Sequence, residues 1–76
     1  MRRYGLTEAE VTALIEAQDG LCLLCRERTP THVDHDHVTG LVRGVLCSCC
    51  NQGLGNFRDS AQTLRAAIDY LERTTW

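Results

Sequence analysis

Cys22-Leu23-Leu24-Cys25 and Cys47-Ser48-Cys49-Cys50 decide the fold of this 76-residue chain. In each stretch two residues separate the outer cysteines, a spacing that lets both sulfurs reach one tetrahedral ion. The 21 residues between Cys25 and Cys47 are enough for a hairpin that carries the second pair back to the first. Four thiolates leave an ion no open position, so the pattern predicts a structural zinc held by Cys22, Cys25, Cys47 and Cys50. Such an ion contributes on the order of 10 kcal/mol or more to folding. Two disulfides or free thiols are the alternative for these residues. Cys49, the fifth cysteine, reads as a small buried or neutral residue. A reactive thiol, or a ligand in place of Cys50, are its other readings.

The length bounds the rest. Residues 1–76 suffice for a single domain, and a core this small is marginal without a staple. Only four residues are aromatic, so packing alone does not supply one. The start, Met1-Arg2-Arg3-Tyr4-Gly5, lacks the apolar region of a signal peptide, and no run approaches the length of a membrane span. A reducing cytoplasm is therefore expected, where paired cysteines are more often metal ligands than disulfides. The net charge of -2 excludes a protein that coats nucleic acid by bulk charge.

Working outward, Thr7-Glu8-Ala9-Glu10 reads as a capping box, and Asp19-Gly20 as the stop of a helix over about 8–18. His32–His35 and Leu41–Leu46 read as strands joined through Val38-Thr39-Gly40, a hairpin over about 32–46. A short helix over about 51–58 follows. With Asp59 or Ser60 as N-cap, Leu64, Ala67, Ile68 and Leu71 then mark a helix over about 60–73.

His32-Val33-Asp34-His35-Asp36-His37 concentrates three histidines and two aspartates in six residues. Carboxylate oxygens suit hard cations such as Mg²⁺ or Mn²⁺, and a neutral imidazole suits proton abstraction near pH 7. Strict strand alternation puts Asp34 and His35 on opposite faces. One site can use both only if the strand ends, bends or bulges there. A second zinc site on His32, His35 and His37, or a solvated polar loop, are the competing readings.

These residues resemble the phage recombination endonuclease VII family, within the HNH or ββα-metal superfamily. The resemblance runs from about Tyr4 to Leu71. It is carried by Tyr4-Gly5-Leu6-Thr7, Cys22 and Cys25, the His32–His37 block, Thr39-Gly40, Val42-Arg43-Gly44, Leu46-Cys47 and Cys50-Asn51. It implies a small α+β, zinc-stapled, treble-clef-like domain with flanking N- and C-terminal helices. Asp34 and Asn51 would hold a catalytic Mg²⁺ or Mn²⁺, and His35 would be the general base that activates water against a phosphodiester of DNA. The ion would polarise the phosphoryl oxygen and stabilise the departing 3′ oxygen. For Asn51 the alternative is an ordinary helix N-cap.

His37 is a candidate contact to the scissile phosphate. Asp36 is a candidate orienter of a histidine, and Arg43 a candidate phosphate clamp. His32 reads as structural. One position departs from the family's junction resolvases, which carry a glutamate where this chain has Leu54. Junction specificity is therefore not implied, nor is an oligomeric state. The expected setting is the cytoplasm of a bacterial host, encoded by a phage or prophage. Two rivals stand beside the nuclease reading. One is a noncatalytic zinc module that binds DNA or protein. The other is a nuclease active only with a protein partner, such as a phage packaging complex.

Overall fold

A computed structural model describes residues 5–73; Tyr4 of the N-terminal motif lies outside them. Within that span the protein is a small α+β structure of three helices and one two-stranded antiparallel sheet. The elements run α1 (Glu8–Ala17), β1 (His32–His35), β2 (Val42–Leu46), α2 (Ser48–Asn56) and α3 (Ala61–Leu71).

The capping box starts α1 as its sequence demands. Glu10 N–H donates to Thr7 Oγ1 at 3.1 Å, and Thr7 N–H donates to Glu10 Oε1 at 2.9 Å. The helix ends where Gly20 N–H donates to the Ile15 carbonyl at 2.9 Å, with Gly20 at φ 72°. Gln18, at its C-cap, is the buried polar residue of the described core. Its side-chain amide donates to the Val45 carbonyl at 2.8 Å and accepts from Val45 N–H at 2.9 Å. It thereby docks α1 on β2 as a third strand would.

The hairpin turns at Asp36–Gly40. Asp36 Oδ1 accepts from Val38 N–H at 2.8 Å and from Thr39 N–H at 2.9 Å, while Gly40 sits at φ 75°. Asp36 therefore builds the turn. The two backbone N–H donors hold its carboxyl below the ordinary value of 3.8.

Two helix boundaries differ from the sequence reading. The helix expected over 51–58 occupies Ser48–Asn56, because Cys47 is its N-cap and its sulfur accepts from Cys50 N–H at 3.3 Å. Asn51 thus lies inside the helix and is not its N-cap. Ser60, not Asp59, caps α3, accepting from Thr63 N–H at 3.1 Å. The stripe predicted for α3 stays largely in solvent, with Ile68 54% and Leu71 78% exposed.

The buried apolar residues are Cys22, Val42, Val45, Leu46 and Cys47, with Cys25, Cys50 and Leu54 packed against the sulfur end. Gly44 gives room at this crossing: a Cβ there would lie 2.6 Å from Leu23 Cδ2 and 3.3 Å from Gln18 Oε1, so the Leu23 side chain would have to shift. Leu23 N–H reaches the Val45 carbonyl at 3.2 Å, which lays the first cysteine turn along β2.

Candidate metal centre and polar cleft

Cys22 and Cys25 sit in a turn closed by Arg26 N–H on the Cys22 carbonyl at 3.0 Å, with Arg26 at φ 60°. Cys47 and Cys50 sit at the N-cap and first turn of α2. The four sulfurs all lie within 4.8 Å of one another, and Cys25 Sγ is 4.0 Å from Cys47 Sγ. That is far beyond a disulfide bond and near the roughly 3.8 Å expected between sulfurs of a tetrahedral zinc at 2.3 Å. Four cysteines are positioned to bind a metal, and Cys50, not Cys49, is the fourth. Cys49 is exposed, which corrects the buried reading of that residue.

The electrostatics differ among the four thiols. Burial raises Cys50 to about 12, and the neighbouring Cys47, Cys22 and Cys25 push the same way. Burial also raises Cys22, but backbone hydrogen bonds from Cys47, Cys25 and Leu24 outweigh it and bring this thiol to about 6. The Arg28 and Glu27 backbone N–H groups lower Cys25. Backbone hydrogen bonds thus favour the thiolate form at Cys22 and Cys25, while burial opposes it at Cys50.

The second cluster begins at a break in the sheet. Asp34 pairs with Gly44 but His35 pairs with Val42, so Arg43 is the extra residue on β2 and the register shifts between Asp34 and His35. The extra residue bends β2, and β1 itself ends at His35. The His35 and His37 rings follow with centroids 5.5 Å apart.

Arg43 binds the carboxylate of Asp34 in bidentate fashion. Nε donates to Oδ2 at 2.7 Å and Nη2 to Oδ1 at 3.2 Å, and Nη2 also donates to Asp59 Oδ2 at 3.1 Å. The hydrogen bond to Asp34 raises the Arg43 pKa, burial opposes it, and Asp59 adds to the rise. Of its five donors, the two on Nη1 are left for another acceptor. His37 Nε2 lies 2.9 Å from Asp59 Oδ2. Arg43, His37 and Asp59 border an open cleft of about 380 Å³ lined also by Asp36, Gly55 and Arg58, and Asp34 lines a second hollow with Arg43, Gly44 and Leu54.

Asn51 is half-buried on the helical face that also carries Cys50 and Leu54, and α2 packs against β1. Among the described residues its side-chain amide makes no hydrogen bond to the Asp34–Arg43–Asp59 network. His32 stands apart, its Nδ1 2.8 Å from Thr31 Oγ1. The three histidines form no metal-binding group among the described residues, so the second-zinc reading gains nothing. Asp59 is the site residue that sequence reasoning missed. Its one signal, an acid in the break between two helices, is equally the signal of an N-cap.

A cysteine-tied hairpin running into a helix, beside a cleft of carboxylates, an imidazole and guanidinium, defines a small α+β protein positioned to bind a metal. The chain belongs to the recombination endonuclease VII family, which it matches over residues 1–73. It is 47% identical over 75 residues to the Gene 59 protein of Mycobacterium phage D29, covering 92% of this chain and 46% of that protein. It is 42% identical over 73 residues to the Gene 59 protein of Mycobacterium phage L5, covering 90% of this chain and 44% of that one. The chain therefore spans somewhat less than half the length of these two phage relatives. No helix among the described residues is long and apolar enough to cross a membrane.

Proposed function

We propose that this chain is a single-domain, metal-dependent DNA endonuclease of HNH type, in which β1, β2 and α2 form the ββα-metal unit and zinc occupies the four-cysteine centre. The observation that carries this reading is the end of β1 at His35, beside the irregularity that leaves Arg43 as an extra residue on β2: past a strand end, strict alternation no longer dictates where the groups of the Asp34–His37 block lie. Family membership and the phage relatives support the nuclease class, DNA as substrate and a phage or prophage setting.

Asp34 and Asn51 offer a carboxylate and an amide oxygen, hard donors that suit Mg²⁺ or Mn²⁺. A cation bound there would supply Lewis-acid stabilisation of the phosphoryl charge. His35 takes a proton from the attacking water as its oxygen bonds to phosphorus; the bond to the 3′ oxygen breaks and that oxygen takes a proton from solvent, leaving 5′-phosphate and 3′-hydroxyl ends. Arg43, whose Nη1 donors are not used by Asp34 or Asp59, and the exposed ring of His37 line the cleft where a phosphate would lie.

Incubating supercoiled plasmid with the protein and Mg²⁺ or Mn²⁺ tests the reading. Nicking that EDTA stops and that His35→Ala reduces by about 10²–10⁴ is expected. The zinc content of His35→Ala should match that of the unmodified chain. Binding without nicking under both metals would instead identify a noncatalytic module. Nicking that begins only when a protein partner is added would place the activity in a larger assembly.

A further inference from the structure

Leu54 packs with Cys50 against the sulfur cluster, so position 54 belongs to the metal-tied core and brings no charge to the cleft. An acid that does reach the cleft and bonds Arg43 is Asp59, anchored on that same residue: its N–H donates to the Leu54 carbonyl at 2.8 Å. Arg58 and Asp59 both sit at φ 56°, a left-handed conformation that only glycine adopts freely. This turn delivers the Asp59 carboxylate, 21% exposed, to His37 Nε2 at 2.9 Å and to Arg43 Nη2 at 3.1 Å. The same guanidinium holds both oxygens of Asp34.

We propose that Asp59 is a positioning residue of the cleavage site: it shares the Arg43 guanidinium with Asp34, offsetting the positive charge that would repel a divalent cation there, and it fixes the His37 ring beside them. The inference rests on the reading of Asp34 as a cation ligand. A carboxylate has about four lone-pair directions, so Arg43 and a metal ion can both contact Asp34, but their charges repel. Asp34, Arg43 and Asp59 together carry one net negative charge. Neutralising Asp59 brings that sum to zero, neutralising Arg43 doubles the negative charge, and neutralising both restores the original value.

The test is a Mn²⁺ titration of the zinc-loaded protein, followed by the electron paramagnetic resonance of free Mn²⁺. Asp59→Asn should weaken Mn²⁺ binding several-fold, and Arg43→Gln should tighten it about tenfold at an effective dielectric between protein and water. The double variant should return close to the unmodified affinity, a restoration that a merely structural role for Asp59 does not produce. Asp59→Glu keeps the charge and should stay near the unmodified value, which preserves the comparison if Asp59→Asn fails to fold. If Asp34→Asn binds Mn²⁺ as well as the unmodified chain, the cation-site reading itself fails. If Asp34→Asn abolishes binding while Asp59→Asn changes nothing, or the double variant binds as weakly as Asp59→Asn, the role of Asp59 alone is overturned.

Discussion

The side-chain amide of Gln18 completes the hydrogen bonding of Val45, a residue only 1% exposed. Leu23 N–H also reaches the Val45 carbonyl, so truncating Gln18 leaves that acceptor partly satisfied but strands the Val45 N–H. A buried orphan donor costs about 1–3 kcal/mol. Gln18→Ala should therefore lower the unfolding free energy by about 2 kcal/mol, read from urea denaturation of the metal-loaded protein. A change within about 0.5 kcal/mol, ordinary for a surface position, would contradict the assignment. Nothing in the sequence marks Gln18 as buried, because its partners lie 27 residues away on β2. Asp59 escapes for the same reason: its partners, His37 and Arg43, come from the hairpin.

Among the elements, α1 and α3 were legible because their signals are local: a Thr-x-x-Glu box in one, an apolar repeat at helical spacing in the other. The start of α2 was not, since its N-cap is a cysteine, and residue preferences look for Ser, Thr, Asp or Asn there. The hairpin was legible in outline, but its register shift depends on which β2 residue is left unpaired, and composition does not specify that. Its turn carries a pH dependence of definite sign. The Asp36 carboxyl is held below its ordinary value by Thr39 and Val38 N–H, so its contribution is complete above 3.8 and is lost as pH falls through the lower folded value. Amide hydrogen exchange at Val38 and Thr39 should accelerate on acidification through that window, beyond the intrinsic pH effect. Asp36→Asn should remove the acceleration, and an identical profile in that variant would refute the turn's role.

At the scale of the molecule, the buried hydrocarbon among the described residues is chiefly Val42, Val45 and Leu46. At about 1.5–3 kcal/mol each, they supply less than the roughly 10 kcal/mol or more of a thiolate-bound zinc. The sulfur cluster is therefore the element on which hairpin and helix converge, and it was fully legible from two cysteine spacings. The cleft was legible in its residue types, through the Asp34–His37 block and Arg43, but not in its connectivity. The guanidinium expected to clamp phosphate is first a partner of two carboxylates.

Anomalous diffraction from crystals of the zinc-loaded protein soaked in Mn²⁺, with data at the zinc and manganese edges, tests the central claim most directly. Zinc signal should appear among Cys22, Cys25, Cys47 and Cys50, and manganese signal against the Asp34 carboxylate and the Asn51 amide oxygen, beside His35. Zinc absent from the sulfurs, or manganese bound away from Asp34 and Asn51, would contradict it.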